Sequence, residues 1–142
     1  MGGQNRGDPM ADDHVHWERS EPSAVEILRR GHDLVAFGWC QETDARDSEQ
    51  RPAKPWSAEA CSWSLLGALV AALGAPGGTG AERPELIAQL RVALVALSQE
   101  ISDWSLQAWN DDPQRTQAEV LEVLQASHRR CGEMLQRSGP EA

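Results

Sequence analysis

Residues 60–73 form the most apolar stretch of the chain, and from residue 65 to residue 73 no polar side chain occurs. A helix that is apolar on every side must be buried on every side. This one falls short of the roughly 20 apolar residues that cross a bilayer. The run therefore predicts the central helix of a globular domain, capped near Ser57, carrying Glu59 in its first turn and ending at Gly74. Gly67 and the alanines leave room for neighbouring helices to approach closely. A second pattern spans residues 22–37, where Ser23 and Glu26 make a capping box. There Ala24, Ile27, Leu28, Gly31, Leu34 and Val35 share one face, with Arg29, Arg30 and Asp33 off it, and Gly38 marks the stop. A third begins at Pro84, with Ile87, Leu90, Leu94, Leu97 and Ile101 as its buried stripe. Ser102 and Asp103 interrupt it, and residues 104–109 add a further turn or two. A fourth opens with the box Thr116 and Glu119 and carries Val120, Leu121, Val123, Leu124, Cys131, Met134 and Leu135 to residue 138.

Between these patterns the chain is polar. Residues 41–55 hold Glu42, Asp44, Arg46, Asp47, Glu49 and Arg51, with Pro52 and Pro55 breaking regularity; they could hold a short hairpin or an irregular loop, and read as a long solvated loop or a lid beside Trp39. Residues 74–80 are a Gly-rich linker without the Lys of a phosphate-binding loop. Asn110-Asp111-Asp112-Pro113 has the chemistry of a turn. Residues 1–19 read as a disordered tail, and residues 20–138 as a single helical domain. The expected fold class is all-α: a compact bundle of four main helices with a long polar loop between helices one and two.

Charge narrows the partners. The chain of 142 residues has a net charge of −9, which disfavours nucleic acid, since Arg29-Arg30 and Arg129-Arg130 are the only basic pairs. No membrane segment or secretion leader is expected, and three cysteines without CxxC spacing point to a reducing cytoplasm. His14 and His16 make a weak metal pair in the tail, so no metal and no cofactor are expected.

Several short motifs occur in a fixed order: Gly38-Trp39-x-Gln41, Ala45-Arg46-Asp47, Ala60-Cys61-x-Trp63 running into Gly67-Ala68-Leu69, and Trp109-Asn110-Asp111-x-Pro113-x-Arg115-Thr116 followed by Glu119-Val120. This set, over residues 24–128, resembles a small family of unknown function found in actinobacteria and their phages. Many of its members carry a cysteine where this chain has Ser64. The resemblance implies no activity and assigns no catalytic residue.

The chemistry-bearing residues cluster at predicted helix ends. If helices one and two are antiparallel neighbours, Trp39, Gln41, Cys61, Trp104, Trp109, Asn110, Asp111 and Arg115 converge on one end of the bundle. Tryptophan brings a large apolar surface and one N–H that needs a partner. Trp39, Gln41, Trp104, Trp109, Asn110 and Arg115 are therefore candidate ligand-binding residues, and a set of core plugs is the plainer alternative. Cys61, expected in the first turn of the apolar helix, is a candidate nucleophile, and Asp111 a candidate acid or base. The expected function is that of a cytosolic binding or accessory protein with a Trp-lined pocket for a small or apolar ligand, its partner being a small molecule or a protein. The alternative is a small enzyme of secondary metabolism using Asp111 or Cys61 in the same pocket. A self-associating structural protein is the third reading, and the oligomeric state is left open.

Overall fold

The computed structural model describes residues 22–74, 83–101 and 105–138. These are mostly helical: α1 (Ala24–Phe37), α2 (Leu65–Ala72), α3 (Pro84–Ser98), α4 (Leu106–Asp111) and α5 (Gln117–Ser138). Two short strands, β1 (Ala45–Arg46) and β2 (Ser62–Trp63), pair antiparallel with Ala45 opposite Trp63. The tail 1–19, linker residues 75–80 and the segment 102–104, which includes Trp104, lie outside the described residues.

Helix α1 starts as its capping box requires, with Ser23 Oγ accepting the Glu26 N–H at 3.2 Å. Its apolar face is buried against α2, α3 and α5. Arg30, expected off that face, is buried too. Its guanidinium donates to the Ala72 carbonyl at 3.0 Å and pairs with Glu26 at 3.2 Å, so it supplies a donor to the open carbonyl end of α2. At Gly31 an added Cβ would lie 2.9 Å from Leu69 Cδ2, so this glycine sets the close crossing of α1 and α2.

Helix α2 is shorter than the apolar run implies. Its N-cap is Ser64, whose Oγ accepts the Gly67 N–H at 3.0 Å. Ser57 caps only a local turn, accepting the Glu59 N–H at 3.0 Å. Helix cannot extend back through Trp63, because that residue's backbone is already paired: its N–H donates to Gly38 at 3.0 Å and its carbonyl accepts from Cys40 at 3.2 Å. At the other end Gly74 takes φ of +74° and donates to Ala71 at 3.1 Å, closing the helix in the left-handed conformation glycine favours. Gly67 does admit a close neighbour, but the neighbour is a loop. A Cβ there would run into the Asp44 carbonyl, the acceptor of the Ser64 N–H at 3.0 Å.

The buried stripe of α3 is rotated from the expected one. Leu86, Ala93, Ala96 and Leu97 are buried, while Ile87, Leu90 and Leu94 are half-buried. The helix contacts both α1 and α5, and Ala93 and Ala96 are buried in that packing. Gln89 Oε1 accepts the Ala24 N–H at 2.8 Å and so pins the start of α1. Helix α5 opens with a reciprocal capping box: Thr116 Oγ1 accepts from Glu119 N–H at 3.2 Å, and Glu119 Oε1 accepts from Thr116 N–H at 3.0 Å. Val120, Leu124 and Cys131 are buried, whereas Leu135 at 44% exposure lies off the core face. Among the described residues no helix is long and apolar enough to cross a membrane.

The segment expected to be a loop, residues 41–55, is therefore half of a small ribbon. Cys61 N–H donates to Arg46 at 2.8 Å and Ala53 N–H to Ala45 at 2.9 Å. Asp47 Oδ1 accepts from the N–H groups of Glu49 and Arg51 at 2.9 and 3.0 Å, which closes the turn between them.

Candidate ligand site

One end of the molecule collects the C-terminus of α1, the ribbon, the N-terminus of α2, α4 and the start of α5. Gln117 at the head of α5 donates to the Val35 carbonyl at 2.7 Å, and α4 packs on α2. At the centre of this end is Asn110, in the last turn of α4 and 0% exposed. Its Oδ1 accepts from Trp39 Nε1 at 2.8 Å and from the Leu65 N–H at 3.0 Å. Its Nδ2 donates to the Cys40 carbonyl at 3.2 Å and to Asp111 Oδ1 at 3.0 Å. One side chain thus ties the chain after α1, the first residue of α2 and its own helix together.

Gln41 and Asp111 extend this hub. Gln41 Nε2 donates to the carbonyls of Asn110 and Asp112 at 2.9 and 2.8 Å. The Asp111 carboxylate accepts from the Glu42 N–H at 2.8 Å and from Gln107 Nε2 at 3.1 and 3.0 Å. Burial pushes the Asp111 carboxyl up, but the hydrogen bonds from Gln107, the Glu42 backbone and Asn110 outweigh it and hold the group below the ordinary aspartate range. Arg115 lies 3.9 Å over the Trp109 ring, donates to the Trp109 carbonyl at 2.9 Å and reaches Glu119 at 3.4 Å.

The structure thus brings together Trp39, Gln41, Asn110 and Asp111, with Trp109 and Arg115 adjoining as a stacked pair. Their polar groups serve one another, which makes them the frame of the site. Cys61 is placed differently from its expected position. It precedes β2, four residues ahead of α2, so the first-turn argument for a reactive thiolate does not apply to it. Cys40 instead lines the depression, and burial pushes its thiol up.

A depression of about 340 Å³ opens beside the hub, lined by Trp39, Cys40, Gln41, Glu42, Arg46 and Gln50. Three of its features escaped the sequence. Glu42 and Gln50 have φ of +74° and +70°, the only non-glycine residues in the left-handed region among those described. Such conformations cost on the order of 1–2 kcal/mol per residue. Arg46 has its Nη1 and Nη2 fixed by the carbonyls of Gln50 at 2.8 Å and Gln41 at 3.1 Å. Among the described residues it pairs with no carboxylate. The motif Ala45-Arg46-Asp47 was the sequence signal for it, hidden because charged residues in a polar stretch look alike.

The fold and the site define a small helical protein whose one end is locked by a buried asparagine and opens beside it into a polar depression. Residues 19–130 match a family of unknown function, DUF6197, and the chain belongs to that family. Neither a curated protein nor a solved structure matches it.

Proposed function

We propose that this chain is a binding protein for a small polar ligand carrying an anionic group, held in the depression between residues 39 and 50 with Arg46 as its charged anchor. The observation that carries this reading is the Arg46 guanidinium. It is fixed in orientation by two backbone carbonyls, pairs with no carboxylate among the described residues, and borders an open depression in a protein of net charge −9. Arginine presents five N–H donors, and the two carbonyl bonds leave donors for a ligand. Trp39 contributes one wall, and its indole N–H is already held by Asn110, so it offers the ligand ring surface. In this reading α1, α2, α3 and α5 act as a four-helix support for the site. The protein would work in the cytoplasm, a setting supported by Cys40, Cys61 and Cys131, which are all free thiols.

The enzyme alternative draws less support: the donors to Asp111 hold its carboxyl below the ordinary range, and Cys61 precedes β2, outside the first turn of α2. The test is a heteronuclear NMR screen against a set of small polar metabolites. The expected result is a set of shifts centred on residues 39–50, with affinity lowered about tenfold or more by Arg46→Gln, as for loss of a charge-assisted hydrogen bond. A hit whose shifts map elsewhere, or a screen with no hit, overturns the reading.

A further inference from the structure

The depression holds two opposite charges that do not meet. Glu42 and Arg46 both line it, yet no ion pair joins them, and among the described residues the Glu42 carboxylate has no other partner. For Glu42 the backbone is held and the carboxylate reaches into solvent, whereas for Arg46 the guanidinium itself is held. The Glu42 N–H is bound by Asp111 at 2.8 Å in the left-handed conformation, and Arg46 is clamped by Gln41 and Gln50. Unpaired charges of opposite sign on the wall of one open depression are complementary to a molecule that carries both signs.

We infer that the ligand is a zwitterion of the α-amino-acid type, its carboxylate on Arg46 and its ammonium on Glu42; the inference rests on the ligand-binding reading above. The surrounding field favours this class over a simple anion or cation. Asp44 and Asp111 both act electrostatically on Cys40 in the wall of the depression, and Glu42 lines it, so a bare anion meets negative charge as well as the guanidinium. A bare cation meets Arg46. A zwitterion adds no net charge and gives each group a partner. The volume of about 340 Å³ lies at the small end of ligand pockets, which span roughly 300–1,000 Å³. Gln41 already uses its amide hydrogens inside the hub, which leaves Glu42, Arg46 and Gln50 as the side chains free to read the ligand.

The experiment titrates the protein with each of the twenty common amino acids by NMR. The best binder is then compared with its own amide, which lacks the carboxylate, and its N-acetyl derivative, which lacks the ammonium. Both derivatives are expected to bind about tenfold more weakly. Arg46→Gln should remove the penalty for the amide, and Glu42→Gln the penalty for N-acetylation; this pairing is one that a misfolded variant cannot reproduce. An N-acetyl derivative that binds as well as its parent overturns the zwitterion and leaves the anion-binding reading standing. So does a metabolite hit in the absence of any amino-acid binder. Silence in both the metabolite and the amino-acid titrations overturns both.

Discussion

Leu69 in α2 and Asn110 in α4 are both fully shielded from solvent, yet different forces keep them there. Leu69 belongs to a helix with an apolar surface all round, and any side chain of similar volume and polarity satisfies its surroundings. Asn110 satisfies groups that nothing else could serve: an indole N–H, the first backbone N–H of α2 and the Cys40 carbonyl. Burial of apolar surface is tolerant and roughly additive with area. A buried polar network is not, because removing one member leaves the others desolvated and unpaired. The interior of the helices therefore sets how stable the fold is, while the hub sets how the chain between α1 and α2 is arranged at the end that carries the candidate site.

The largest test of this contrast is a pair of substitutions read by urea unfolding. Leu69→Met should cost under about 1.5 kcal/mol, as volume-conserving apolar exchanges do. Asn110→Leu, also close in volume, should cost about 3–5 kcal/mol, since it orphans several buried partners at about 1–3 kcal/mol each and their losses overlap. Equal costs at the two positions would erase the distinction between tolerant core and specific hub.

Glycines sharpen it next. Gly67 sits where the ribbon docks on α2, and a Cβ there collides with the Asp44 backbone. Gly67→Ala should destabilise by about 2–3 kcal/mol, in the range of overpacked positions. Gly132 in α5 has open space around it, so Gly132→Ala should stabilise by up to about 1 kcal/mol through helix propensity alone. Opposite signs from the same chemical change would locate the tight seam at the ribbon.

Acid probes the hub without mutation. The Asp111 carboxyl is held below its ordinary value, so its contribution is complete above the unfolded aspartate pKa of about 3.9 and is lost as pH falls through the lower folded value. Asp47 follows the same sign, its carboxyl lowered first by the Arg51 backbone N–H. Stability should therefore be flat above about pH 5 and fall below about pH 4. Asp111→Asn should flatten part of that acid limb, and an unchanged limb would mean that other carboxylates carry it.

The two regions also differed in how far the sequence revealed them. The capping boxes Ser23–Glu26 and Thr116–Glu119 and the apolar α2 run announce themselves, because propensity and periodicity act over many residues at once. The ribbon does not. Its strands are two residues long, too short for alternation to register, and Ser57 offered a false N-cap seven residues ahead of Ser64. Asn110 and Gln41 were visible as unusual residues, but a Trp-Asn-Asp sequence has the local chemistry of a turn. The expected convergence put Trp39 and Gln41 near Asn110, about 70 residues away along the chain; the fold adds which atoms bond, as in Trp39 Nε1 to Asn110 Oδ1. Arg46 was the least legible, since what distinguishes it is the lack, among the described residues, of a carboxylate partner.

The smallest effect bears most directly on function. Glu42 and Gln50 stand on opposite sides of Arg46 in sequence, both in the left-handed region and both on the wall of the depression. Glycine adopts that conformation without steric cost, so Glu42→Gly and Gln50→Gly each relieve on the order of 1–2 kcal/mol of local strain. Part of that is offset by the greater freedom glycine gives the unfolded chain, about 0.4–1 kcal/mol. The net expectation is a gain of about 0.5–1 kcal/mol at each site, measured by urea unfolding. Stabilising substitutions of this kind are easy to find where a chain has kept strain for another purpose. Glu42→Gly should therefore gain stability and lose the proposed amino-acid binding, whereas Gly132→Ala should gain stability and keep it. If Glu42→Gly instead destabilises the fold, the carboxylate serves the scaffold, and the strained residues beside Arg46 are no sign of a binding site.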